Sequence, residues 1–135
     1  VYLAEPVADF LAVTTTALLF AHQFPRAVRA LENNDVAAFG ALWFESHESS
    51  RVNFENSTPE LDYLVELAHS VPGCLGARLS GGGFGGITIH LVESAGAAEY
   101  AERVQAAFKQ RIGVAPEYII CSIGDGAESK KLQEK

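Results

Sequence analysis

Methionine is absent from the whole of this 135-residue sequence, position 1 included, and cysteine occurs only at Cys74 and Cys121. A chain that opens on Val1 reads as a piece of a longer polypeptide. Two cysteines cannot supply a disulfide framework. Both fall in apolar, strand-like stretches, so they are expected to be buried thiols in a reducing, cytoplasmic compartment. Basic residues are scarce: 10 Lys and Arg stand against 17 Asp and Glu, a net charge of −7. Nucleic acid and anionic membrane surfaces both recruit Lys/Arg-rich faces, so neither is expected as the main partner. A nucleotide, which needs only local positive potential, stays open. Long apolar runs are missing too. The longest, Ala17–Ala21, falls far short of the ~20 residues of a membrane span, and no signal peptide or lipidation motif is present.

What is present suffices for a core: 48% of the residues are hydrophobic and 20% charged, the balance of one ordinary domain. The first 57 residues read as helical. Pro6 opens a helix, although the β-branched run Val13-Thr14-Thr15-Thr16 weakens it. Pro25 suits a first turn, so a helix restarts near Gln23, with Val28 and Leu31 on one side and a stop at Asn33-Asn34. Asp35 is a good N-cap for the next helix, where Phe39, Leu42, Trp43 and Ser46 share a face, running to about Asn53. Thr58-Pro59-Glu60-Leu61-Asp62 is a strong helix start: a capping threonine, proline at the first helical position and two carboxylates at the positive end of the dipole. Leu61, Leu64, Val65 and Ala68 form its apolar stripe.

After Gly73 the period changes from 3.6 to 2. Cys74 to Ser80 reads as a strand, and Ile87, Ile89 and Leu91 alternate with Thr88 and His90 in a second. Ala97 to Ile112 returns to helix, with Ala97, Ala101, Val104, Phe108 and Ile112 on one face and Gly113 beyond its end. Tyr118 to Ile123 reads as a third strand. From residue 58 the order helix, strand, strand, helix, strand is most of a split βαβ unit lacking its first strand. The expected class is therefore α+β, a ferredoxin-like antiparallel sheet packed with helices. A fourth strand would come from Val13–Phe20 or from chain upstream. The expected organisation is a helical lead-in over 1–57, a core over 58–127 and a flexible tail over 128–135.

Five glycines occupy the six positions from Gly81 to Gly86. Gly81, Gly83 and Gly86 satisfy G-x-G-x-x-G, but the dinucleotide fingerprint requires a helix to follow, and here a strand follows. No Gly-Lys-Ser/Thr follows either, so this is not a Walker A loop. A plain hairpin needs one or two glycines, and each further one costs about 0.5–1 kcal/mol relative to Ala. The excess points to close approach of a ligand or another loop. Successive N–H groups in mixed right- and left-handed conformations make an anion-binding nest.

At these residues the chain resembles a known family. GARLSGGGFGGITIHLV, Gly76 to Val92, resembles the third conserved motif of the GHMP small-molecule kinases, and its Phe84-Gly85-Gly86 ending looks like the galactokinase branch. ESHESSRVNFENSTPELDYLVELA, Glu45 to Ala68, and YIICSIGDGA, Tyr118 to Ala127, agree in order and spacing. The likeness runs from about Val28 to Ala127. It implies a ferredoxin-like C-terminal domain of the GHMP type. It further implies a reaction in which the γ-phosphoryl group of Mg²⁺·ATP passes to the 1-hydroxyl of galactose. The role of lying beside the nucleotide phosphates falls on Ser80, Gly81, Gly82, Gly83, Phe84, Gly85 and Gly86, with Phe84 as much a packing residue as a contact. Ile87 stands where the family often has Cys, and residues 1 to 25 match poorly. The family's galactose-recognition motif, its phosphate-binding loop, its catalytic Asp and its metal ligands all precede the matched region. The resemblance therefore implies a chain that is inactive alone, whose partner is the preceding domain of the same protein. The surface meant for that domain is expected to drive self-association. A different sugar, a mevalonate-like substrate or a non-catalytic ligand-sensing module are the alternatives.

Other polar residues carry less. His47-Glu48 starts H-E-x-x-H, but position 51 is Arg51, which removes that zinc motif. Ser46, His47 and Arg51 read as structural groups on a helix near the cleft. His90, on the polar side of its strand, reads as solvent-facing or locally bonded. Arg78 is placed to reach a phosphate or to pair with a carboxylate. The dipole explains Glu60 and Asp62 without an acid–base pair.

Overall fold

A computed structural model describes residues 4–124, of which 4–9, 11, 12, 16 and 19 are described by their backbone alone. The element order is α1 (Ala4–Glu32), α2 (Val36–Val52), α3 (Pro59–Ser70), β1 (Cys74–Ser80), β2 (Ile87–Val92), a 3-10 turn (Ser94–Gly96) and α4 (Ala97–Ile112). β1 and β2 pair antiparallel from Ser80↔Ile87 to Cys74↔Val92, with an irregularity between Cys74 and Gly76. The expected class holds: helices stand against an antiparallel sheet.

The capping residues act as the sequence suggests. Asp35 accepts from the Ala38 N–H (2.9 Å) at the start of α2. Thr58 accepts from the Leu61 N–H (3.4 Å) at the start of α3, with Pro59 in the first turn. Gly113 ends α4 in the left-handed conformation. One face of the sheet packs on α3 and α4. Leu67, Tyr100, Val104 and Phe108 form one buried cluster, with Val92 and Cys74 against it. Val65, Ala68 and Ala77 form a second, with Phe44 of α2 against it.

Several expectations are corrected. Val13–Phe20 is helix, not a fourth strand. Thr14 Oγ1 donates to Phe10 O (2.7 Å) inside the helix, so the hydroxyl is satisfied locally and the β-branched run does not break it. No new helix starts near Gln23: α1 runs through Pro25. Pro25 is exposed, as is Ala21, whose carbonyl loses its partner to the proline ring. The α1 residue that packs inward is Ala30, whereas Leu31 is 58% exposed. On α2 the buried positions are Gly40 and His47 rather than the Phe39–Trp43 face, whose members are only partly covered.

Tyr118–Ile123 forms no strand: it has no regular secondary structure, with Ile119 88% and Ile123 92% exposed. A strand needs a neighbour's open edge. The β1 edge facing away from β2 is occupied by α2, and among the described residues only β1 and β2 form a sheet. The cysteine expectation is corrected with it. Cys74 is half-buried in the core, but Cys121 is exposed. The expected tail over 128–135 lies outside the described residues.

Candidate functional site

The glycine loop, Gly81–Gly86, joins β1 to β2. Ser80 lies at the end of β1 opposite Ile87, and Phe84 stands at the loop's tip with its ring 78% exposed. Gly81, Gly83, Gly85 and Gly86 have positive φ, and so does Phe84, at 57°. A left-handed phenylalanine costs roughly 1–2 kcal/mol, so something must hold it there.

The holding group is the connector between α2 and α3. The Phe84 N–H donates to the main-chain carbonyl of Asn56 (2.6 Å). The Asn56 side chain answers in the other direction, Nδ2 donating to Gly82 O (3.2 Å). Between them the two backbones nearly touch: a Cβ at Gly83 would lie 2.0 Å from Asn56 O, and φ there is +87°. Any side chain at position 83 would drive the loop off the connector. The N–H groups of Gly81, Gly82, Gly83, Gly85 and Gly86 find no protein acceptor among the described residues. The loop thus offers a row of backbone donors on a strained, anchored turn, which is the chemistry of an anion nest.

The connector is itself fixed from below. Ser57 Oγ donates to Asp62 Oδ1 (2.5 Å). His47, 4% exposed, accepts from the Leu79 N–H at Nδ1 (3.2 Å), which makes Nε2 the protonated nitrogen of a neutral ring. Nε2 lies 3.2 Å from Asp62 Oδ1 but is not aligned for a hydrogen bond. Burial pushes the His47 pKa down, with the Asp62 carboxylate opposing it. His47 is therefore a neutral brace between α2 and β1, as its structural reading holds. Arg51 pairs with Glu48 on the surface (2.7 Å).

Higher up α2, Gly40 meets β1 backbone to backbone: a Cβ there would lie 2.1 Å from Leu75 O. His90 is not on an open polar face, since it lies between the sheet and α4. Nδ1 faces the Tyr100 hydroxyl (2.5 Å) and Nε2 faces Thr88 Oγ1 (2.9 Å). Burial lowers its pKa to about 4 and raises those of Tyr100 and the Cys74 thiol. Arg78 is half-buried, its Nε donating to Leu79 O (3.0 Å), and among the described residues it pairs with no carboxylate.

A separate open groove of about 590 Å³ runs between α2 and α3, lined by Phe44, His47, Glu48, Arg51, Asp62 and His69 among others. None of Ser80–Gly86 lines it. Among the described residues no cluster of three His, Cys, Asp or Glu is placed to hold a metal, and no helix is long and apolar enough to cross a membrane. None of Ser80–Gly86 carries a carboxylate, so the loop itself offers Mg²⁺ no anionic ligand. The sequence reading placed the loop correctly between two strands but passed over Asn56. The signal available for it was a polar Asn-Ser-Thr-Pro run in the middle of the second motif block, just ahead of the α3 start.

Known proteins align with the same region. The family model described as GHMP kinases C terminal matches residues 27–110. The galactokinase of Clostridium beijerinckii is 43% identical over 101 residues, covering 75% of this chain and 26% of that protein. The crystal structure of Lactococcus lactis galactokinase complexed with galactose superposes with a TM-score of 0.66 at 32% identity, covering 70% of this chain and 24% of the other. L. major mevalonate kinase, in complex with R-mevalonate, superposes at 0.62 with 27% identity, covering 76% of this chain and 32% of that one. The chain spans about a quarter of the length of the galactokinases it matches. With residues 27–110, the greater part of the chain, fitting that family model, the chain belongs to the GHMP kinase C-terminal family.

Proposed function

We propose that this chain is the C-terminal part of a galactokinase, in which ATP phosphorylates the 1-hydroxyl of galactose. On this reading Ser80 and Gly81–Gly86 lie beside the nucleotide phosphates. The glycine N–H groups donate to phosphate oxygens, and the lack of side chains lets the triphosphate pass close to the backbone. What carries the reading is the galactokinase likeness at 43% identity, joined to a loop whose donors are not used within the fold. The likeness to mevalonate kinase is fainter, at 27%, so a sugar is favoured over mevalonate as acceptor.

Phosphoryl transfer depends on positioning and on neutralising charge around the γ-phosphate. The loop serves positioning. Activation of the hydroxyl, the metal ligands and the sugar pocket fall to the preceding domain, the partner of this chain in the cytoplasmic enzyme. The isolated 135 residues then bind ATP weakly and turn over nothing, and the uncovered apolar surface makes them self-associate. The test is ADP release in the full-length protein with galactose, N-acetylgalactosamine and mevalonate offered in parallel, alongside the isolated chain. Galactose-dependent turnover by the full-length protein alone is expected. Preference for mevalonate, or turnover by the isolated chain, overturns the reading.

A further inference from the structure

We infer that Asn56 is a positioning residue for the glycine loop, a clasp that holds the backbone donors in the direction nucleotide phosphates require. The inference rests on the reading of Gly81–Gly86 as the phosphate-side loop and adds the device that fixes its shape. A six-residue loop with four glycines at positive φ has many conformations of similar energy, and each freely rotating glycine adds to the entropy lost when a ligand orders it. A loop that must present N–H groups to an anion gains affinity from being ordered beforehand.

Asn56 supplies that order at three points. Its carbonyl takes the Phe84 N–H (2.6 Å), which fixes the one non-glycine residue of the turn in the left-handed conformation. Its Nδ2 takes Gly82 O (3.2 Å), so that this carbonyl, which would repel a phosphate, is engaged elsewhere. Its backbone fills the space beside Gly83, where a Cβ would sit 2.0 Å from Asn56 O. The base of the clasp is rigid: the next residue, Ser57, is tied to Asp62 on α3, and Thr58 caps the same helix. One donor, the Phe84 N–H, and one acceptor, Gly82 O, are thereby removed from the ligand's side, while the glycine N–H groups stay available.

The experiment uses the full-length protein with Asn56→Asp, which keeps the shape but loses the Nδ2 donor, and Gly83→Ala, which wedges the loop from the connector. Amide exchange of the peptide covering Gly81–Ile87 is followed without nucleotide, and steady-state kinetics are measured against ATP and sugar separately. Exchange is expected to quicken in both variants. kcat/KM for ATP is expected to fall by roughly tenfold or more in Gly83→Ala and by less in Asn56→Asp, in keeping with the cost of small misplacements. KM for the sugar should hold in both variants, and the melting temperature should hold in Asn56→Asp. Unchanged exchange overturns the clasp and leaves the phosphate-side reading standing. Quicker exchange with unaltered ATP kinetics overturns the phosphate-side reading and the positioning role with it. A fall in sugar affinity and melting temperature together with ATP kinetics overturns the specific role in favour of general structural support.

Discussion

Two stretches of this chain are written in the same alphabet and end in different states. Cys74–Val92 and Tyr118–Ile123 both place apolar residues at strand spacing, and each contains a cysteine. The first is a hairpin whose inner face is buried against α3 and α4, with Ala77 and Leu79 almost wholly covered. The second is chain without regular structure whose isoleucines stand in solvent. Composition does not separate them. The hairpin brings its own partner strand within reach of a short loop, and α2 closes its free edge through His47. Tyr118–Ile123 follows α4 with no free edge beside it. Strand propensity is a demand for a neighbour, and its outcome depends on whether one is supplied.

The sharpest test of that contrast is one kind of substitution made in both places. Leu79, 1% exposed, is the largest wholly buried side chain among the described residues. Leu79→Ala should cost about 3–4 kcal/mol in urea unfolding, as buried leucines do. Ile119→Ala in the same measurement should cost about 0.5 kcal/mol or less. Equal losses would mean that Tyr118–Ile123 packs in solution and that the contrast is false.

Acid should find the hairpin before it finds anything else. His90 is neutral, held between Tyr100 and Thr88, with a pKa lowered by burial from 6.5 to about 4. Between those values the unfolded chain binds more protons than the folded one, so stability is full above pH 6.5 and falls as the pH drops toward 4. The loss from this ring reaches about 3 kcal/mol once the fall is complete. His47 acts in the same direction. Denaturation midpoints from pH 7 to 4 should therefore slope downward, and His90→Gln should flatten most of the slope. A variant with the full slope would place the titration elsewhere.

Smaller in effect is the edge that α2 closes. Gly40→Ala sets a Cβ against Leu75 O, and α2 must lift from β1, at a cost of about 2 kcal/mol. Had Gly40 served only helix flexibility, alanine would stabilise the protein instead. A rise in midpoint would thus dissolve the close contact, and a fall would confirm it.

Gly40 also marks the boundary of what the sequence can disclose. The capped start of α3, the C-terminal glycine of α4 and both hairpin strands were legible because their signals are local: a cap, a period, a left-handed end. The resemblance rested on blocks of the same local kind. Contacts between elements were illegible. A glycine inside a helical period announces that something approaches, not what approaches, so Gly40 could not be matched to Gly76, where a Cβ would lie 2.3 Å from Gly40 O. The α2 face was misjudged for that reason, because its inward side is set by β1 and not by its largest side chains. Asn56 was missed on similar grounds, since its acceptor is a backbone carbonyl 26 residues away. The third strand was over-read because periodicity reports a preference and is silent about neighbours.

The two cysteines give the gentlest probe of the same contrast. In the hairpin, the Cys74 thiol is half-buried, close to Gly76 O (3.3 Å), and its pKa is raised by desolvation. The thiolate is the reactive form, so raising the pKa and covering the sulfur act together to slow alkylation. Cys121, in the unpaired C-terminal segment, is exposed. Iodoacetamide at neutral pH should modify Cys121 first, with Cys74 slower by about tenfold or more until denaturant is added. Mass spectrometry of the two peptides reads the order directly. If Cys121 were as slow as Cys74 in the folded chain, the segment around it would be covered, and the neighbour it lacks here would have been found, in a second copy or in its own fold.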